Sequence, residues 1–168
     1  MSLILDGGGT IAGLTPGGLP PAVIEQPNMA AGTTTTGPCF SAYQSVAQAI
    51  PATTWTKVKL QSKDFDLTNA FDNVTNFRFQ PNVAGYYMLH SCISLGTSAY
   101  QLATALYKNN ATSAYGSNSS AGGGTVGELI LLNGTTDYVE LYVFTGAALS
   151  LGAGPTSTFL QGFLARSA

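Results

Sequence analysis

The chain has 168 residues, enough for one well-buried domain but few for two. Apolar residues make up 45% of it and charged residues only 8%, against about 25% in an ordinary soluble domain. Such sparse charge implies either a surface covered by partners or one kept dispersed by Ser, Thr, Asn and Gln. The covered alternative predicts an obligate oligomer. The net charge is −2 and the six Lys and Arg are scattered, which argues against nucleic acid or an anionic membrane as partner. No window of about 18 uninterrupted apolar residues is present to span a bilayer. Met1-Ser2-Leu3-Ile4-Leu5-Asp6 has neither the basic region nor the apolar core of an export signal, so a cytoplasmic site of synthesis is expected. There Cys39 and Cys92 are expected as reduced, buried thiols. Without a secretory route, the sequons at Asn73, Asn110, Asn118 and Asn133 carry little weight.

Residues 1–36 differ from the rest. They contain Gly7-Gly8-Gly9, Gly17-Gly18-Leu19-Pro20-Pro21 and Thr33-Thr34-Thr35-Thr36, with short apolar patches and no sustained period. Gly and Pro exclude a regular helix or a central strand. The segment reads as an extended arm or a solvated tail. Leu3, Leu5, Leu14 and Leu19 are the candidate anchors if it docks on another protein.

From residue 37 to 168 the pattern is one domain of strands and turns. Phe77 to Gln80 alternates and stops at Pro81. Gly85 opens a run from Tyr86 to Leu95. Tyr100 to Tyr107 ends in the turn signal Lys108-Asn109-Asn110. Glu128 to Leu132 closes on Asn133-Gly134, the strongest hairpin signal in the chain. Asp137 to Phe144 and Thr158 to Leu164 follow. Tyr43 to Ile50 is the best helical candidate, and it is short and closed by Pro51. The regular punctuation predicts an all-β antiparallel sandwich.

Two runs are apolar on both alternating faces. Tyr87, Leu89 and Ile93 oppose Tyr86, Met88 and Cys92; Val139, Leu141 and Val143 oppose Tyr138, Tyr142 and Phe144. A sandwich strand needs one buried face. The second face, rich in aromatics, is expected to pack on another copy, with Tyr86, Met88, Tyr138, Tyr142 and Phe144 as interface candidates. A covering loop of the same chain is the alternative.

Phe40-Ser41-Ala42, Trp55-Thr56-Lys57-Val58, Phe77-x-Phe79-x-Pro81 and Ala84-Gly85-Tyr86-Tyr87 occur in order. Phe65-Asp66 and Phe71-Asp72 stand between the second and third of these, and the set is followed by Leu106-Tyr107-Lys108-Asn109, Leu132-Asn133-Gly134, Asp137-Tyr138-Val139-Glu140-Leu141 and Phe159-x-x-Gly162. This ordered set resembles the globular head of complement's q subunit, in the tumour necrosis factor-like superfamily, along about residues 40–165. The resemblance implies a ten-strand jelly roll forming a homotrimer. The wording is more similar to versions in tailed bacteriophages, as virion fibre, tail-tip or head-decoration proteins. That likeness implies a virion location, other virion proteins as partners of the arm, and a host surface glycan or protein as ligand. A purely structural decoration or cement protein, and a secreted lectin-like adhesive protein, are the alternatives.

Candidates for catalysis are few. His90 is the only histidine and stands inside an apolar strand, so a triad or imidazole metal cluster would depend on it alone. Cys39 and Cys92 have no redox or zinc spacing. No Gly-rich loop leads into a helix to cradle phosphate; Gly122-Gly123-Gly124 reads as a flexible loop before a strand. Glu128 and Glu140 lie within strands, with nothing to place them in one cleft. Asp64-Phe65-Asp66-Leu67-Thr68-Asn69 lacks the glycine and glutamate of a calcium loop. Phe65 and Phe71 are expected to anchor it with its Asp residues in water, calcium being the alternative. The chain is therefore expected to be no enzyme and to need no cofactor. The segment Asn109 to Gly124 is the candidate ligand loop, through Asn109, Asn110, Tyr115 and Asn118, because Tyr supplies rigid contact area and Asn adaptable hydrogen bonds.

Overall fold

The computed structural model describes residues 37–95, 101–119 and 122–168. The expected arm, residues 1–36 with Leu3, Leu5, Leu14 and Leu19, lies outside the described residues. The described residues contain strands and no helix. A five-stranded antiparallel sheet runs β10 (Gly123–Leu132), β7 (Gly85–Ser94), β13 (Phe159–Ser167), β1 (Cys39–Tyr43) and β4 (Ser62–Asp66). A six-stranded sheet runs β5 (Phe71–Asp72), β6 (Arg78–Phe79), β11 (Val139–Thr145), β8 (Leu102–Lys108) and β9 (Ala111–Ser119), with β3 (Thr56–Lys57) also on β11. A small pair, β2 (Ala49–Ile50) and β12 (Leu149–Ser150), stands apart from both. The Tyr43 to Ile50 stretch is therefore not helical: it ends β1 and supplies β2. β-branched and aromatic residues in the flanking runs leave it too few turns to pay for helix nucleation.

Period two decides which side chains go inward. In β7 Tyr87, Leu89 and Ile93 are fully buried, while Tyr86, Met88 and His90 are exposed. In β11 Val139, Leu141 and Val143 are buried and Tyr142 and Phe144 only partly so. The inward sets of the two sheets meet in one core. At one end Phe40 from β1 stacks on Phe79 from β6 at 4.2 Å and on Phe71 from β5 at 5.2 Å. Phe79 meets Tyr87 edge-on at 5.4 Å, so the rings tie the sheets together. The Tyr87 hydroxyl donates to the Val83 carbonyl at 2.7 Å, and burial pushes its pKa up to about 12.

Asn109 and Asn110 have φ of 52° and 66°, the left-handed pair of a two-residue hairpin turn between β8 and β9. Within β9, Gly116 lets the two sheets approach. A Cβ there would collide with the Thr125 carbonyl oxygen of β10 and the Thr104 hydroxyl of β8. Gly123 and Gly124 belong to β10, not to a flexible loop; Gly124 packs where a Cβ would strike Leu102.

Replacing Gly116 by Ala should destabilise the fold by at least about 2 kcal/mol, as overpacking against backbone does. Gly123→Ala, whose new carbon would have its nearest neighbour at 3.5 Å, should stay within about 1 kcal/mol of the parent. Urea unfolding followed by tryptophan fluorescence compares the two. Equal midpoints would contradict close approach at Gly116.

Candidate functional site

The outer face of the five-stranded sheet is built by strand register. Leu129, Met88, Phe163 and Cys39 are paired across β10, β7, β13 and β1. Leu131 pairs with Tyr86 beside this row, and Gly127, His90, Gln161, Ser41 and Phe65 are paired along its other side. Met88 is 39%, Phe163 51% and Leu129 60% exposed, with Phe65, Tyr86 and Leu131 similarly open. Most of the exposed large apolar side chains of the described residues therefore share one face. A hollow of about 150 Å³ opens between Cys39, Phe65, Met88, His90 and Phe163. A single exposed Leu is unremarkable, but a contiguous apolar row marks an interaction surface.

The outer face of the six-stranded sheet is different. Tyr107 stacks on Tyr142 at 4.0 Å, and Trp55 lies 5.7 Å from Phe144, 5.8 Å from Tyr115 and 6.2 Å from Tyr107. These rings satisfy one another and cover Ala105, which is fully buried. Burial, then the nearby Glu140 carboxylate, raises the Tyr142 pKa. Lys57 donates to Glu140 at 2.9 Å alongside.

The five expected interface residues thus divide. Tyr86 and Met88 are on the exposed apolar face of one sheet. Tyr142 and Phe144 belong to the aromatic cluster of the other, and the Tyr138 ring lies 4.2 Å beneath the Arg78 guanidinium. One flat interface does not hold both sets, because they project from different sheets. Phe65, Leu129, Leu131 and Phe163 share the exposed face with Tyr86 and Met88 and were not among the sequence candidates. Leu129-Ile130-Leu131-Leu132 is apolar at every position, so its alternation is invisible until pairing chooses a face.

The expected ligand loop is mostly strand. β9 takes Ala111 to Ser119 and pairs with β8 along its length. Ser, Asn and Gly have low strand propensity, and backbone pairing overrode it. Asn109 is structural: its side chain donates to Asp137 at 2.7 Å and accepts from the Tyr138 amide at 3.0 Å. Asn110 shares its turn. Tyr115 is 69% exposed in the aromatic cluster, and Asn118 is exposed further along β9 opposite Ala103. The four do not converge.

The titratable groups are engaged in holding turns and strands. Asp66 does not face water. Its carboxylate accepts from the Ala70 and Phe71 amides at 2.9 and 3.0 Å and pairs with Lys63 at 3.0 Å. Lys63 supplies the cation where calcium was the alternative, and no group of three or more His, Cys, Asp or Glu is placed to hold a metal among the described residues. Phe71 is buried as expected, whereas Phe65 is exposed. Glu128 of the five-stranded sheet accepts from the Ser113 hydroxyl of β9 in the other sheet at 2.7 Å, while Glu140 is held by Lys57 within the six-stranded sheet. Cys39 and Cys92 are free thiols, half-buried on the apolar face rather than in the core, and burial raises the Cys39 pKa. His90 faces outward on the same face with its ring 6.0 Å from Phe159.

No family model and no curated protein matches the sequence. Solved structures match the fold. The globular domain of zebrafish complement 1qA protein is 17% identical, covering 79% of this chain and 99% of that one at a TM-score of 0.59. Murine APRIL at pH 8.0 is 13% identical over 76% and 98%, at 0.61. PRD1 vertex protein P5 is 14% identical over 79% and 99%, at 0.60. The fold is a jelly roll of the tumour necrosis factor and complement-head type.

Two carboxylates make the stability of this domain acid-sensitive. The Asp72 pKa is lowered to about 2 by the backbone amides of Thr75 and Val74 and by Asn76. Lys108 and Asn109 lower that of Asp137. Each therefore contributes stability that is complete above the unfolded carboxylate value near 4. It is lost as pH falls toward about 2 for Asp72. The urea midpoint should fall across that window, and Asp72→Asn should flatten the fall. An unchanged slope would refute the assignment.

Proposed function

We propose that this chain is a non-catalytic bacteriophage virion protein. Three copies associate through the apolar face of the five-stranded sheet, and residues 1–36 attach the trimer to the particle. The remaining surface meets the host cell. The in-register row Leu129, Met88, Phe163 and Cys39 carries the reading. A face of this kind stays dispersed only when covered, and a chain with 8% charge offers little else to keep it apart. A closed cyclic arrangement covers the same patch on every copy without leaving an open end. The fold-level likeness to a vertex protein, PRD1 P5, supports the virion location. The outward aromatic cluster around Trp55 makes no part of this interface.

Two measurements test it. Light scattering at micromolar concentration should give three chain masses, and Leu129→Lys with Phe163→Glu should give a folded monomer by circular dichroism. A parent chain that remains monomeric would refute self-association. Removing residues 1–36 should leave the trimer intact and abolish incorporation into particles, as followed by immunogold labelling. Normal incorporation would overturn the role given to the arm.

A further inference from the structure

A cleft of about 500 Å³ opens away from both faces, between the β5–β6 turn and the β10–β11 turn. Its size lies within the range of small-ligand sites. The walls are rigid. Asp72 accepts from the Val74 and Thr75 amides at 3.0 and 2.9 Å, and from the Asn76 backbone and side chain at 3.1 and 2.7 Å. The opposite wall is held by Asn133, whose side-chain Oδ1 accepts from three successive amides, those of Thr135, Thr136 and Asp137. Gln80 joins the walls by donating to the Thr135 carbonyl at 2.9 Å. Gly134, at φ +71°, tucks where a Cβ would strike the Ala84 amide nitrogen.

Within this frame several polar groups keep hydrogen-bonding positions open. The Asn82 side chain is exposed and makes no hydrogen bond among the described residues. Asn73 donates to the Gln61 carbonyl at 2.8 Å, which leaves its own oxygen open. The Thr135 hydroxyl is also open. Arg78 has no carboxylate partner among the described residues: Nη2 donates to Gln80 at 2.8 Å and the guanidinium plane rests on Tyr138. That stacking leaves its other N–H groups fixed in direction.

We infer that this cleft binds a neutral saccharide. Amide and hydroxyl side chains offer donors and acceptors together, which matches sugar hydroxyls, each of which both donates and accepts. The lining carries one cation, Arg78, and one anion, Asp72, so it has no excess charge with which to select phosphate or a sugar acid. Asp72 is already saturated by four N–H groups, which leaves it no acceptor direction for a cationic ligand. Val74, 77% exposed at the rim, supplies apolar contact for the C–H face of a ring. Because the walls are already held, binding need not order them. The inference deepens the host-surface half of the proposed function and rests on that reading only for where the sugar comes from.

Saturation-transfer NMR on the full chain tests it, with neutral hexose di- to tetrasaccharides as probes and sialylated and sulfated sugars as controls. Transfer to at least one neutral probe is expected, with none to the charged controls. Asn82→Ala should weaken it about fivefold, the loss of one net hydrogen bond. Thr135→Trp, at an exposed turn position, should abolish it by filling the cleft, while Tyr115→Ala should leave it unchanged. Absence of transfer to every neutral probe overturns the inference, as does undiminished binding in both cleft variants. Because particle incorporation and chain mass are measured separately, a failure here leaves the virion reading standing as a purely structural role.

Discussion

Everything outside the core follows from the closure of two sheets over Phe40, Phe71, Phe79 and Tyr87. The ring stack takes side chains from β1 and β7 of one sheet and from β5 and β6 of the other. Once those rings are inside, strand alternation leaves no freedom: Tyr86, Met88 and Phe163 must point out. The same closure needs Gly116 and Gly124 where β9 and β10 converge, since any side chain there would hold the sheets apart. The exposed apolar face is a consequence of the core's register.

The two outer faces have opposite physical characters. On the six-stranded sheet, the aromatics cover one another around Trp55, and the Lys57–Glu140 pair lies beside them, so that face is largely self-satisfied. On the five-stranded sheet, Leu129, Met88 and Phe163 are neighbours left exposed among the described residues. Low overall charge means something different on each. It is compensated by ring packing on the first and leaves the apolar row exposed on the other. The cleft between the β5–β6 and β10–β11 turns has a third character, with polar groups held in place by Asp72 and Asn133.

The sandwich, its main strands and the Asn109-Asn110 hairpin turn were legible in the chain, because alternation and left-handed turn residues are local signals. The inward and outward sets of β7 and β11 were legible for the same reason. Asn133-Gly134 is not the hairpin its residues predict: it joins β10 of one sheet to β11 of the other, because strand pairing and not the turn decides the sheet. Asn109 and the segment from Ala111 to Ser119 read as a loop in the sequence, because composition reports propensity and not pairing. In the fold Asn109 is tied to Asp137 and the Tyr138 amide, and β9 is recruited by β8. Asp66 resembled a water-facing residue because its partners, the Ala70 and Phe71 amides, come together only when the turn forms.

By itself, then, the sequence determined an all-β chain with two apolar faces on its central strands and almost no residues suited to catalysis. These follow from side-chain period, turn chemistry and residue type, which are properties of neighbours in the chain. Only the tertiary structure decided which outward residues share a surface. It put Met88 beside Leu129 and Phe163, and it sent Tyr142 and Phe144 to the other sheet. It also brought Asn82, Arg78 and Thr135 to one cleft. Those groupings depend on strand order and register between segments far apart in sequence, and no local pattern encodes them.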